Sequence, residues 1–324
     1  TSSSGYHLSV SLIENQEVLT ALGTVRVSAL VPESMIIKKR ETINKVVAVG
    51  FKGYGDFYPQ MFLDNLEERL FPDAEKIIKI IDLDVKGNLK PNSLALLLSR
   101  EEILKKVIDE LKPLSTHKNT VQGGTSEGDT LFVFPAVLGE NPNNDIWMKL
   151  TNSLDGQVIE VPGLPPSIPG LRLEKALTVF LRRKGAEFRH NSRVVGFNAE
   201  KERITSIIAL DSSNTEHNIE ANNFILATGS FWGGGLVAHK ENLIEPVFNL
   251  PVFSQKKDND TPLLSLQGQP FLSTGLETDN CLRPNPGFTN LYAAGSILAH
   301  SNYSSEKSGL GLALATGYKI GSLV

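Results

Sequence analysis

In the first half of the chain, apolar positions alternate between unbroken runs and stretches that repeat at about four residues. That pattern predicts an α/β layer. Residues 45–50, Lys-Val-Val-Ala-Val-Gly, form the kind of run carried by a strand buried on both faces. Within 57–71, Phe62, Leu66 and Leu70 recur at intervals of four and predict a helix packed on that strand. Residues 77–83 predict the next strand, which completes a βαβ unit. Ile103, Leu104, Val107, Ile108 and Leu111 share one face of a helix over about 100–111, and residues 130–135 predict a further strand. Between them, 115–129 is rich in Gly, Ser and Thr without an apolar period, so a surface loop or lid is expected there.

The second half reads differently. Four prolines in residues 161–170 exclude a helix interior or a central strand. A helix follows with Leu173, Leu177, Phe180 and Leu181 on one face, and Gly185 is its expected left-handed cap. Residues 187–197, 203–210 and 217–221 predict short strands separated by polar loops, which suits an antiparallel meander. The meander feeds a buried strand, Phe224-Ile225-Leu226-Ala227, that runs into Thr228-Gly229-Ser230. A second such strand, Leu291-Tyr292-Ala293-Ala294, ends at Gly295-Ser296, and Ser308-Gly309-Leu310-Gly311 opens a helix continuing to Gly317.

At 324 residues the chain is longer than one core usually supports, so two parts are expected. The expected division is an N-terminal segment over 1–40, a small α/β insert over 41–150 and a main body over 151–324. The 32 Lys and Arg against 36 Asp and Glu leave a net charge of −4 and no basic stripe, which argues against a nucleic-acid partner. No run reaches the ~20 apolar residues of a membrane-spanning helix. One cysteine, Cys281, provides no internal disulfide and cannot hold an iron–sulfur cluster, which takes about four thiolates. Neither the six histidines nor this cysteine show metal-ligand spacing, so no metal site is expected.

Three glycine-rich places bear on chemistry. Gly50-Phe51-Lys52-Gly53-Tyr54-Gly55 lies between a strand and a helix, but its order is not Gly-x-Gly-x-x-Gly, and a tight connection is the favoured reading over a dinucleotide site. In contrast, the order of covering helix, meander and short strand ending at Gly229 has the logic of a nucleotide-dependent flavoprotein, in which the strand-end glycine admits a cofactor. Ser230-Phe231-Trp232-Gly233-Gly234-Gly235 then offers unobstructed amides beside two aromatics that are expected to exclude water. The helix opening at Gly309 would turn its positive dipole end toward the pyrimidine edge of a flavin. Thr228, Gly229, Gly233, Gly234, Gly295, Ser296, Gly309, Leu310 and Gly311 are accordingly the expected cofactor-binding residues.

Five stretches carry a family resemblance: Phe134-Pro135-Ala136, the run 164–173 (Leu-Pro-Pro-Ser-Ile-Pro-Gly-Leu-Arg-Leu), the run 227–238 (Ala-Thr-Gly-Ser-Phe-Trp-Gly-Gly-Gly-Leu-Val-Ala), Leu282-Arg283-Pro284 and the run 290–296 (Asn-Leu-Tyr-Ala-Ala-Gly-Ser). Together they resemble the B subunit of anaerobic glycerol-3-phosphate dehydrogenase, over roughly residue 46 to the C-terminus and most densely after Phe134.

The resemblance implies a Rossmann-type FAD/NAD(P)-binding fold with an antiparallel meander and a smaller α/β insert. It further implies a flavin, FMN by family assignment with FAD as the alternative. An FAD-containing catalytic subunit and an iron–sulfur, membrane-associated subunit are the implied partners. The implied reaction oxidises glycerol 3-phosphate to dihydroxyacetone phosphate and passes electrons to quinone, in the cytoplasm at the inner face of the membrane through the partner subunits.

Two departures stand out. The family's opening strand and Gly-x-Gly-x-x-Gly are expected ahead of Thr1, so the chain reads as N-terminally truncated. Ser296 also stands where the wider superfamily usually has Asp, a stronger hydroxyl acceptor.

Oxidation of a secondary alcohol needs a base for the hydroxyl proton and cations for the phosphate. Arg283 and His300 are the expected catalytic pair, with His239 and Lys307 as further groups on the same face. Two other readings stay open: a flavin-dependent oxidoreductase of the succinate/fumarate or amino-acid oxidase type, and a scaffold subunit that has lost its flavin.

Overall fold

The computed structural model describes residues 8–10, 15–115, 129–143, 145–240, 242–254, 269–306 and 308–324. The expected polar loop, apart from its flanks, lies outside the described residues with its His117, as does Lys307. The chain divides into two compact units, Thr1–Glu187 and Phe188–Val324. The sequence pattern places this boundary earlier, at 150/151.

The first unit is built on a four-stranded parallel sheet of β1 (Ile43–Phe51), β2 (Glu75–Ile81), β3 (Asp129–Pro135) and β4 (Gln157–Val161), in the order β2-β1-β3-β4. Register runs Val46↔Leu131 on one side of β1 and Val46↔Lys76 on the other. The two central strands are buried from Val46 to Val49 and from Leu131 to Phe134, as unbroken apolar runs require in a sheet covered on both faces. At the β2 edge, Ile78 and Ile80 are exposed and interspersed with Lys76 and Lys79, charges that discourage edge pairing. Crossovers in a parallel sheet carry the helices: α1 (Pro59–Asn65), α2 (Pro91–Leu98), α3 (Glu101–Leu111) and α4 (Asp145–Ser153). Phe62, Leu94, Leu98, Val107, Leu111 and Leu150 bring them onto the core with no exposed surface.

Two helices depart from expectation. The helix expected over 57–71 breaks after Asn65: Leu66 is extended, a short 3-10 turn spans Glu68–Leu70, and Leu66 and Leu70 reach the core from outside the α-helix. The helix after the proline-rich loop, α5 (Ile168–Arg183), starts at a Ser167 cap whose hydroxyl accepts from the Gly170 amide at 3.1 Å. Its buried residues are Ile168, Arg172 and Ala176, whereas Leu177, Phe180 and Leu181 are exposed. The expected apolar face is therefore not the buried one. The cause is electrostatic: Arg172 is drawn inward by Glu160 on β4. Gly185 does take the left-handed conformation expected of the cap, with φ at 88°.

The second unit opens with the meander. Strands β5 (Arg193–Glu200), β6 (Arg203–Leu210) and β7 (Glu216–Glu220) pair antiparallel in the order β7-β6-β5. The first begins later than the sequence pattern suggests. Beside them, β8 (Phe224–Leu226) and β9 (Leu291–Ala293) pair parallel, with Phe224 opposite Leu291 and Leu226 opposite Ala293. Their core joins Leu226, Leu236, Leu276, Leu291 and Ile297 to a cluster of Phe197, Phe248 and Phe288, whose rings lie 5.0 to 6.2 Å apart. Glu245, with no exposed surface, accepts the Val247 and Phe248 amides at 2.8 Å each and so closes the turn that delivers Phe248 to the cluster. Helix α6 (Gly309–Gly321) closes the unit.

Parallel and antiparallel sheets thus share one chain, the α/β class with a meander expected from the sequence. No helix among the described residues is long and apolar enough to cross a membrane.

Candidate cofactor site

Asn290 sets the site up. Its side chain, 1% exposed, donates to the Ile204 carbonyl at 2.8 Å and the Asn222 carbonyl at 3.0 Å and accepts from the Ile204 amide at 2.9 Å. Its own carbonyl accepts from the Phe224 amide at 2.9 Å. One buried residue, through its side chain and its backbone carbonyl, therefore ties the meander to the starts of both β8 and β9.

The ends lie together. The Ala294 amide donates to the Leu226 carbonyl at 3.0 Å, extending the parallel pairing by one step toward the two glycine turns. Beyond it, the Ser296 hydroxyl oxygen lies 3.6 Å from where a side chain on Gly229 would begin. The third segment joins through Thr316, whose hydroxyl accepts from the Gly295 amide at 3.0 Å and donates to the Leu312 carbonyl at 2.7 Å. Ala313 on the same helix is in van der Waals range of Gly295. Tyr303 completes the ring: its hydroxyl is 3.3 Å from that of Ser230, and its side chain packs beside Gly309. The strand end after β8, the strand end after β9 and the opening of α6 are thereby brought to one place.

The chemistry of that place is backbone chemistry. Ser308 makes no side-chain cap, and among the described residues the first amide of α6 to find a backbone acceptor is that of Leu312, which donates to the Ser308 carbonyl at 2.7 Å. Among the described residues the amides of Gly309, Leu310 and Gly311 have no backbone acceptor, and they lie at the positive end of the helix dipole. Thr228, Gly233 and Gly234 are exposed, and the Ser230–Gly235 loop folds back so closely that a Cβ on Gly233 would meet the Thr228 carbonyl and one on Gly235 the Gly229 carbonyl. Small residues here serve a tight loop, and its amides are not left open as the sequence suggests: those of Gly233, Gly234 and Gly235 donate to the Ser230 and Phe231 carbonyls at 3.1 to 3.3 Å. The opening of α6, with hydroxyls from Ser230, Ser296 and Tyr303 near it, suits a planar heterocycle with an electron-rich edge.

A cavity of about 430 Å³ adjoins the segment that follows Gly295. Leu276, Leu298 and Leu312 form its apolar wall, and Glu277, His300 and Ser301 its polar one. His300 is fixed at its backbone, while its side chain is 60% exposed. Its backbone is left-handed, with φ at 64°, its amide donates to the Ser273 carbonyl at 2.9 Å, and its ring packs against Phe253 with centroids 4.2 Å apart. Nε2 lies 3.0 Å from Glu277 Oε1.

Arg283 is placed differently. It lies on the turn before β9, outside the cavity lining, with Nε 3.1 Å from Asp279 Oδ2. Partial desolvation pushes the Asp279 carboxyl up, but the Arg283 and Cys281 amides and the Arg283 charge outweigh it and hold the group below the usual carboxylate range. The Arg283 guanidinium is in turn held above its ordinary value, chiefly by the Asp279 charge. The structure does not bring Arg283 and His300 into one cluster.

Other sequence-level candidates are scattered. Trp232 is 85% exposed, and Phe231 meets Phe271 edge-on at 6.2 Å. His239 is exposed next to the short hairpin Val237–Ala238/Leu243–Ile244. At the earlier Gly-rich turn, Gly53, with φ at 83°, gives its carbonyl to the Leu89 amide at 2.7 Å, and Lys52 pairs with Asp82. Those glycines serve close backbone packing, and Asp56, Asp82 and Asp84 make the region unfavourable for phosphate. No group of three or more His, Cys, Asp or Glu among the described residues is arranged to hold a metal ion.

Sequence reasoning passes over Asn290, Tyr303, Thr316 and Glu277 as site residues. None lies in a periodic pattern. Only the Asn immediately before the apolar run of β9 is visible as part of a motif.

The family model of the FAD binding domain matches residues 5–312. The chain is also similar to proteins named as the B subunit of anaerobic glycerol-3-phosphate dehydrogenase. The one from Actinobacillus pleuropneumoniae serotype 5b (strain L20) is 28% identical over 335 residues, covering 97% of this chain and 75% of that protein. The Aliivibrio fischeri protein (strain ATCC 700601 / ES114) is 28% identical, covering 94% of this chain and 70% of the relative. The Vibrio cholerae serotype O1 protein (El Tor Inaba N16961) is 29% identical, covering 93% and 69%. The resemblance read from the sequence motifs is borne out by these comparisons.

Proposed function

The chain belongs to the FAD-binding-domain family, and we propose that it is the flavoprotein B subunit of an anaerobic, quinone-linked glycerol-3-phosphate dehydrogenase. A flavin is the cofactor class that the family match supports, and FAD is favoured over the FMN implied by the motif resemblance. The observation that carries the reading is the meeting of Gly229 with Ser296 and of Gly295 with Thr316 and Ala313, beside the opening of α6, where Ser308 makes no side-chain cap.

In this reading Thr228, Gly229, Gly233 and Gly234 lie along the cofactor and Ser296 faces its ribityl or ribose hydroxyls, while Gly295, buried with its amide given to Thr316, serves by bringing the strand end close to α6. The amides of Gly309, Leu310 and Gly311 meet its pyrimidine edge. Bound there, a flavin supplies the two-electron acceptor for alcohol oxidation. His300 takes the hydroxyl proton of glycerol 3-phosphate in the adjoining cavity, and Arg283, already charged and oriented by Asp279, faces an anion from the turn before β9. The partners in this reading are an FAD-containing catalytic subunit, with which this chain shares the chemistry on the substrate, and an iron–sulfur subunit that carries electrons onward and holds the assembly at the inner face of the membrane. The lone Cys281 agrees with iron–sulfur clusters lying on another chain.

The test is to purify the full-length protein together with its partner subunits, record the visible spectrum, and identify released flavin by chromatography. FAD at one equivalent per chain and glycerol 3-phosphate-dependent quinone reduction are expected. An assembled complex in which this chain is colourless would instead make it a scaffold, and turnover of dicarboxylates in place of glycerol 3-phosphate would move it to the succinate/fumarate type.

A further inference from the structure

We infer that Glu277 is a positioning residue for His300: it holds the imidazole as the Nε2–H tautomer, so that Nδ1 is the atom that accepts the substrate hydroxyl proton. This rests on the proposed reading of the cavity as the place where an alcohol is oxidised.

Glu277 Oε1 lies 3.0 Å from His300 Nε2, and both side chains line the cavity. A carboxylate only accepts, so the bond is made when Nε2 carries the hydrogen. Among the described residues Nδ1 has no hydrogen-bond partner. It is the ring nitrogen that remains able to accept. The His300 side chain is 60% exposed and that of Glu277 57%, so the bond to Glu277, the tilted Phe253 ring at 4.2 Å and the backbone bond to the Ser273 carbonyl are what orient the ring. A bulky residue in the left-handed region is costly and persists where neighbours enforce it.

Glu277 is itself placed by its backbone. Its carbonyl accepts the Asn285 amide at 3.1 Å, and the adjacent Leu276 bridges to Leu298, two residues before His300. Both members of the pair are thus carried on one bridged pair of segments. A bound flavin would supply the acceptor for the hydride from C2–H; the role of this chain's own residue is that His300 Nδ1 would take the O–H proton as the C2–O bond becomes a ketone carbonyl.

Two measurements test this on the full chain. In the first, nitrogen-15 NMR of histidine-labelled protein without flavin reads the His300 tautomer, assigned by its loss in His300→Asn. Wild type and Glu277→Gln, which keeps an acceptor oxygen, are expected in the Nε2–H form, and Glu277→Leu in a mixture. In the second, the assembled enzyme carrying Glu277→Leu is expected to lose about 10- to 100-fold in kcat with KM for glycerol 3-phosphate within about threefold, and Glu277→Gln to recover most of it. An unchanged tautomer in Glu277→Leu overturns the positioning role, as does an unchanged kcat. Because the tautomer is read without flavin or substrate, its result is independent of whether the proposed activity holds.

Discussion

The guanidinium of Arg172 and the carboxylate of Glu160 meet through two hydrogen bonds of 2.6 and 2.9 Å, with both side chains at most 1% exposed. Their remaining capacity is used as well: Glu160 accepts the Leu138 amide at 2.9 Å and Arg172 Nε donates to the Gly139 carbonyl at 2.8 Å. The pair ties β4, α5 and the loop after β3 together and decides which face of α5 is inward.

Removing one partner strands a buried charge. Arg172→Met is expected to destabilise the protein by about 3–5 kcal/mol, whereas Arg172→Met combined with Glu160→Leu costs less than the single change. Urea titration of the three proteins checks this through their midpoints. A double variant weaker than Arg172→Met would show that the pair contributes by its hydrogen bonds to Leu138 and Gly139 more than by its charge balance.

At the folded-back loop after β8, a methyl group on Gly235 has no room, because the Gly229 carbonyl and the Thr228 hydroxyl, 2.6 Å away, already occupy the position. Gly235→Ala is expected to cost about 1–3 kcal/mol and to lower the flavin retained on purification. Gly317 in α6 has open space around it, so Gly317→Ala is expected to be stabilising by about 0.5–1 kcal/mol. Thermal melts with flavin absorbance on the same samples separate the two effects.

Among the described residues, Thr316 is the acceptor for the buried Gly295 amide. Replacing it with valine keeps shape and removes the oxygen, at an expected cost of about 1–3 kcal/mol, while Thr316→Ser retains most of the stability. Hydrogen exchange at the Gly295 amide gives a local readout: faster in Thr316→Val, near wild type in Thr316→Ser.

Tyr54 provides a pH prediction in the first unit. Burial, with the Asp56 charge adding to it, pushes its phenol up to about 12. The folded value lies above the unfolded one, so the phenol's contribution to stability is intact below about pH 10 and is lost as pH rises from there through about 12. Ultraviolet titration is expected to show one late-ionising tyrosine that disappears in Tyr54→Phe, and the alkaline fall in stability is expected to be shallower in that variant.

Much of the fold is legible in the sequence because its signals are local. The unbroken apolar runs of β1 and β3, the four-residue repeat of α3, the polar breaks of the meander and the glycine cap at Gly185 each depend on residues close in sequence. Where the local pattern misleads, a distant partner intervenes. The stripe of Leu177, Phe180 and Leu181 on α5 is plain in the sequence, yet the helix turns its Arg172 side inward, where Arg172 bonds the buried carboxylate of Glu160 on a distant strand. The helix expected through Leu70 breaks after Asn65 although Leu66 and Leu70 are buried, since burial does not require the α-helix to continue.

The sequence by itself determined that two short strands would end in glycine turns and that a small-residue helix would follow the second, since strand, turn and helix propensities act over a few neighbouring residues. Only the tertiary structure decided that these ends meet: Asn290 bonds across to the meander, Thr316 reaches Gly295, and Tyr303 spans Ser230 and Gly309. It also decided that His300 faces Glu277 and that Arg283 is paired with Asp279 apart from it. Hydrogen bonds between segments far apart in the chain depend on the packed positions of whole strands and helices, and no local pattern carries that information.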